Sequence, residues 1–160
     1  MLRWLWLSLL VVVLDQLSKY LVEAWLTPYQ ALALLPSLNF TLVYNTGAAF
    51  SFLADAGGWQ RWFFLVLSLV IGVVLVVWLR RLRQGETATA VALALILGGA
   101  LGNAIDRALY GHVVDFIDVY YRGWHWPAFN IADSAICVGA GLLMLTSLRQ
   151  EHPSKSRQTG

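Results

Sequence analysis

Long apolar runs separated by short polar breaks set the pattern of this chain. Four runs, at about 4–24, 62–79, 88–109 and 131–148, carry few or no charges. About 20 helical residues at 1.5 Å rise cross a bilayer's hydrocarbon core, so each run predicts a transmembrane helix. The segment 27–61 reads differently. Pro28 and Pro36 break it early, and Leu38, Phe40, Leu42 and Tyr44 then alternate with Asn39, Thr41 and Val43. That period of two predicts a strand. Asn45-Thr46-Gly47 reads as a turn. Residues 48–52 read as a returning strand, giving a β-element over 38–52 that lies on the membrane surface. It cannot cross, because an open sheet leaves backbone groups unpaired in lipid. Residues 110–130 are expected to form an outer loop anchored by Tyr120, Tyr121, Trp124 and Trp126 at the interface. The expected architecture is an all-α polytopic membrane domain over 1–150 with a small outer β-element, followed by a polar, disordered tail at 151–160.

Composition supports this picture. The chain is 59% hydrophobic and only 12% charged, with a mean hydropathy of +0.65. Soluble domains carry about 25% charged residues. The net charge of +2, with no basic block interleaved with aromatics, excludes a nucleic-acid partner. The single cysteine, Cys137, excludes an internal disulfide and is expected to pack as a small apolar residue. Asp15 interrupts what would otherwise be the apolar core of a signal peptide, and no small-x-small cleavage site follows. The first helix is therefore expected to be retained.

The polar residues inside or beside the spans carry the chemistry. Asp15 and Lys19 stand four apart on one helical face. Such a pair in a span marks either a functional site or an ion pair that fixes helix packing. Gly98, Gly99, Ala100 and Gly102 would let neighbouring backbones approach the third span. Asn103, Asp106 and Arg107 follow at its end. Asn130 and Asp133 open the fourth, and Asp115 sits among apolar neighbours in Val113-Val114-Asp115-Phe116. Asp118, in the same loop, is expected to be a solvated surface residue. Seven Lys/Arg (Arg3, Arg80, Arg81, Arg83, Arg149, Lys155, Arg157) fall on one side of a four-span topology, and Arg61 and Arg122 fall on the other. By the positive-inside rule both termini are cytoplasmic. The unusual polar residues then converge on one depth, the outer interface.

Acids in a poorly hydrated place share protons, because desolvation and mutual repulsion oppose full ionisation. A pair holding one proton suits general acid–base attack of water on an amide. Other chemistries lack their residues. His112, His125 and His152 have no zinc-ligand spacing, no G-x-S-x-G occurs, and Cys137 has no histidine on its stretch of helix. A small ion or proton transporter relaying through Asp15, Lys19, Arg107 and the aspartates is the alternative. Its relay would need polar groups through the full thickness, and the inner half of the spans is almost free of them.

Taken together, the chain resembles the bacterial lipoprotein signal peptidases (signal peptidase II), aspartyl proteases of the inner membrane. The resemblance rests on Asp15-x-x-x-Lys19, Asn45-Thr46-Gly47-Ala48-Ala49-Phe50, Gly102-Asn103-x-x-Asp106-Arg107, Val113-Val114-Asp115-Phe116 and Phe129-Asn130-x-Ala132-Asp133. It implies four transmembrane helices, a periplasmic β-cradle and a loop over the site. It implies a substrate that is a prolipoprotein whose cysteine carries diacylglycerol, cut just before that cysteine. By motif position Asp115 and Asp133 would be the catalytic pair. Asn45, Asn103, Arg107 and Asn130 would hold the substrate, and Asp15, Lys19 and Asp106 would support the site. No metal or organic cofactor is implied, and a monomer in contact with membrane lipid is expected.

Overall fold

The structure, a computed structural model, describes residues 1–47 and 57–150, the side chains of 149 and 150 excepted. Helix α1 (Leu5–Trp25) follows a 3-10 turn at Leu2–Trp4, and α2 (Trp59–Arg81), α3 (Thr87–Leu109) and α4 (Ile131–Gln150) complete four helices. All four are long and apolar enough to cross a membrane. Helix α3 is the central one: 67% of its most apolar stretch is buried, against 17% for α2 and α4. It packs against each of the other three helices. Its small residues make this possible. A Cβ on Gly98 would lie 2.7 Å from the Val11 Cβ of α1, and one on Gly102 would lie 2.6 Å from Asp15 Oδ2. Backbones that close give van der Waals contact where lipid offers no hydrophobic drive. On α1 and α2 large apolar side chains such as Leu9, Trp62, Val66 and Val73 point outward, as lipid-facing positions should.

The β-structure is larger than the sequence pattern implies. Strands β1 (Ala31–Leu35), β2 (Leu38–Asn45), β3 (Val113–Tyr121) and β4 (Trp124–His125) form one antiparallel sheet in the order β1-β2-β3-β4. The alternation over 38–44 is borne out by β2. The loop expected over 110–130 is corrected: nine of its residues form β3. Hydrogen bonds to β2 explain why. Register places Val43 opposite Asp115 and Asn45 opposite Val113, and the ladder satisfies backbone groups that a buried loop would leave unpaired. Strand β3 turns into β4 through Arg122 and Gly123, both at positive φ (47° and 83°), the type I′ geometry that matches strand twist. The returning strand expected at 48–52 lies outside the described residues. Beneath the sheet, Val22, Leu42, Val114 and Phe116 form a buried cluster that seats it on the C-terminal end of α1. A second cluster of Leu75, Leu79, Ala90, Leu93 and Leu97 joins α2 to α3 at the opposite end.

Candidate active site

The site forms where α1, α3, α4 and the β2–β3 ladder meet. Its foundation is a charged cluster. Lys19 Nζ lies 2.7 Å from Asp15 Oδ2 and 2.7 Å from Asp106 Oδ2, and donates to Asn103 Oδ1 at 3.1 Å. Asp15, Lys19 and Asp106 are all nearly inaccessible. One cation between two carboxylates is how such charges survive burial. The carboxylates also bind neighbouring backbone. Asp15 Oδ1 accepts from Ala132 N at 2.9 Å, which fixes the start of α4. Asp106 Oδ2 accepts from Val114 N at 3.2 Å, which fixes the start of β3. Three elements are thus pinned around one ammonium group.

Above this foundation stand two further carboxylates joined by asparagines. Asp115 Oδ1 accepts from Asn130 Nδ2 at 2.8 Å, and Asp115 Oδ2 from Asn45 Nδ2 at 3.0 Å. Asp133 Oδ1 accepts from Asn103 Nδ2 at 2.8 Å. Asn130 directly precedes α4 and exchanges hydrogen bonds with Asp133. Asp133 N donates to Asn130 Oδ1 at 2.8 Å, and Asn130 N donates to Asp133 Oδ2 at 3.3 Å. That is a capping-box arrangement built from Asn and Asp. Asn130 is wholly buried, and its amide also reaches Asn103 Oδ1 and the Val114 carbonyl, each at 3.2 Å. Asp115 is only 2% exposed. Burial, reinforced by the charge of Asp133 and opposed by its asparagine donors and Lys19, pushes its carboxyl up to about 7.

Asp115, Asp133, Asn45, Asn103 and Arg107 all line one cavity of about 610 Å³. Trp126 to Phe129 form one wall, and Ser134, Ile136, Cys137 and Val138 of α4 form another. Arg107 donates to the Gly47 carbonyl at 2.8 Å and the Asn103 carbonyl at 3.3 Å, and lies 5.2 Å over the Phe64 ring. Its Nε has no hydrogen-bond partner among the described residues. The cavity's remaining walls are apolar, which suits a substrate with a lipid or apolar portion. Among the described residues no group of His, Cys, Asp and Glu has metal-binding geometry.

Every residue assigned to the site from sequence converges here: Asp15, Lys19, Asn45, Asn103, Asp106, Arg107, Asp115, Asn130 and Asp133. Two expectations need correction. Asp118 is not solvated; it is 7% exposed, accepting from Asn39 Nδ2 at 2.9 Å and contacting His125 Nδ1 at 2.8 Å. It is on the other face of β3 from Asp115, as a separation of three along a strand requires. Cys137 does not pack in the core; it is exposed and lines the cavity. Gln16, not singled out from sequence, donates to Asp106 Oδ1 at 2.8 Å and to the Gly102 carbonyl at 3.3 Å. Its position inside Asp15-x-x-x-Lys19 was the available signal.

The family model described as Signal peptidase (SPase) II matches residues 7–149. A lipoprotein signal peptidase of Pseudomonas aeruginosa (strain UCBPP-PA14) is 58% identical over 94% of this chain and 90% of its own length. That of Alteromonas mediterranea is 51% identical over 99% and 87%. A solved structure, described as a bacterial membrane enzyme obtained by the in meso method at 2.3 Å resolution, superposes with a TM-score of 0.87 at 33% identity. The match covers 99% of this chain and 94% of that one.

Proposed function

This chain belongs to the signal peptidase II family, the membrane peptidases that remove signal peptides from lipoproteins, and on that premise we propose that Asp115 and Asp133 are its catalytic pair. The observation that carries the assignment is that Asn130 donates to both carboxylates, its side-chain amide to Asp115 and its backbone N–H to Asp133, beside a single cavity that both aspartates line. Asp133 stands in the first turn of α4, where a helix N-terminus favours negative charge, and accepts two N–H groups. It is the base. Asp115, buried and pushed up to about 7, holds the proton and is the acid.

The reaction then balances. Asp133 takes a proton from water as its oxygen attacks the scissile carbonyl carbon. Asp115 gives its proton to the carbonyl oxygen, leaving a neutral gem-diol. As the C–N bond breaks, one gem-diol hydroxyl returns its proton to Asp115. Asp133 hands its own proton to the leaving amine. The lipoprotein departs with a free amino terminus and the signal peptide with a carboxylate. Arg107 and Asn45, which line the cavity, hold the substrate backbone, and the apolar walls receive the diacylglyceryl group of the cysteine just after the cut. A single chain suffices, because every group named comes from it. The protein lies in the bacterial inner membrane with both termini cytoplasmic and the site at the periplasmic face.

Incubating purified protein in detergent with lipidated and unlipidated preprolipoprotein tests this. Only the lipidated form should be cut. Asp115→Asn and Asp133→Asn should each abolish cleavage while leaving the protein folded and inserted in the membrane. The double variant should be scarcely worse than either single one, because the two act as a unit. Near-normal turnover in either single variant refutes the pair.

A further inference from the structure

The membrane-facing surface holds a second cavity, far from the aspartates. Helices α1 and α2 both pack on α3 but scarcely touch each other. The gap between them is a groove of about 670 Å³, floored by Leu97 and Leu101 of α3. Its walls are apolar. The Ser8 hydroxyl that borders it is already used, donating to the Ala94 carbonyl at 2.8 Å. Gly72 of α2 opens onto it, and a Cβ there would meet only Leu97 Cδ1, at an ordinary 3.5 Å.

Two features say what fits. The first is length. Along α2 the groove runs from Leu69 to Arg80, about 16 Å at 1.5 Å per residue, which is half of a hydrocarbon core of about 30 Å. At the Arg80 end it covers the full depth of one leaflet, and its floor on α3 continues from Leu97 through Leu101 to Ile105. The second is charge. The one charged residue lining it is Arg80, at its end, and Arg80 has no carboxylate or hydrogen-bond partner among the described residues. Arg81 and Arg83 follow in sequence, and Arg3 borders the neighbouring cleft at the same end. None of these is in an ion pair with a described acidic group. An apolar slot long enough for an acyl chain, with an unpaired guanidinium at its end, is complementary to an acyl chain attached to a phosphate.

We propose that the α1–α2 groove binds an anionic phospholipid of the cytoplasmic leaflet, one acyl chain lying against Gly72 and Leu97 and the headgroup phosphate held by Arg80. The leaflet assignment rests on the orientation given under Proposed function. The aspartyl chemistry does not enter, so the two can fail separately.

The test is native mass spectrometry of the purified full-length protein, equilibrated in detergent with equal amounts of phosphatidylglycerol and phosphatidylethanolamine. Wild-type protein should retain one phosphatidylglycerol in preference to phosphatidylethanolamine. Arg80→Gln should reduce that preference about fivefold, the worth of one cation against an anionic surface, and Arg80→Lys should keep most of it. Gly72→Leu, which fills the slot without a backbone collision, should lose bound lipid of both kinds. Cleavage of lipidated preprolipoprotein by the same samples reports that each variant is folded, since neither position touches the aspartate cavity. Equal retention of the two lipids by wild type, or retention unchanged in both Arg80→Gln and Gly72→Leu, overturns the proposal. So does a dimer that Gly72→Leu converts to monomer, which would make a second chain the occupant.

Discussion

Asn103 has a carbonyl oxygen and an amide nitrogen to place, and its neighbours leave one solution. Its oxygen accepts from Lys19 at 3.1 Å and from Asn130 at 3.2 Å, so its nitrogen faces Asp133. Turned the other way, it would set an oxygen against a carboxylate and an N–H against an ammonium. Lys19 thus orients a donor of the site without touching the cavity. Lys19→Met should remove the cation between Asp15 and Asp106 and cost about 3–5 kcal/mol, the toll of leaving buried charge unpaired. Adding Asp106→Asn to Lys19→Met should recover part of the melting temperature but not turnover, because Asn103 has lost one of the two donors that hold its oxygen. Recovery of both would reduce Lys19 to a structural ion pair. The pH dependence follows from Asp115. Its carboxyl is held near 7 against an ordinary 3.8, so its proton is lost as pH rises through about 7. Turnover should fall along that limb. Stability carries the same sign: a carboxyl with a raised value contributes least above 7, where its charge is buried. Asp115→Asn should therefore raise the melting temperature more at pH 8 than at pH 5. Equal shifts at both pH values would show that Asp115 is not buried as an acid.

Strand β3 carries Asp115 on one face and Asp118 on the other, so the sheet is part of the site's machinery rather than a cover over it. Asp118 ties β2 through Asn39 and β4 through His125, whose ring stacks on Tyr120 at 5.2 Å. Asp118→Ala should leave Asn39 unpaired in a buried position, costing about 1–3 kcal/mol. Turnover should drop while the pH profile keeps its shape, since Asp118 holds the strand and exchanges no proton with substrate. A shifted profile would place Asp118 within the titrating unit. This element also marks where the sequence stops being legible. The helices were plain because runs of about 20 apolar residues have one meaning in a membrane protein. Strand β2 was plain because it alternates. Strand β1, Ala-Leu-Ala-Leu-Leu, is apolar on both faces and exposed throughout, so no period marks it. Strand β3 is apolar on both faces because it is buried on both, and its aromatics mimic an interfacial loop. The site residues were legible for a different reason: polar groups in apolar sequence are costly, and each one advertised itself. Asp118 misled because its neighbours Val119 to Tyr121 become exposed along the strand while it does not.

At the scale of the molecule, orientation in the membrane decides whether the cavity meets its substrate. All eight tryptophans fall near helix ends, in the sheet or, for Trp126, just after β4. Trp4, Trp6 and Trp78 lie at one level, and Trp25, Trp59, Trp62, Trp124 and Trp126 lie at the other, which suits two interfacial belts. The aspartate cavity borders the second belt through Trp126, and the Arg80–Arg83 cluster lies beyond the first. Besides Lys19 and Arg107 of the site itself, the two described cations on the cavity side are both engaged locally. Arg61 donates to the Ala108 carbonyl at 2.8 Å, at the C-terminal end of α3 where a helix favours a cation, and Arg122 lies 5.4 Å over the Tyr121 ring. Among the described residues, the basic residues outside the site and its loops belong to the opposite side, which the positive-inside rule predicts to be cytoplasmic. The prediction is made in a Cys137→Ala background, with Trp124→Cys in the β3–β4 hairpin and Gln84→Cys between α2 and α3. An impermeant maleimide added to spheroplasts should label position 124 at once and position 84 only after lysis. The reverse pattern would put the aspartates on the cytoplasmic face, where a prolipoprotein whose cleavage site has already crossed the membrane could not reach them, and would move Arg80 and its lipid to the outer leaflet.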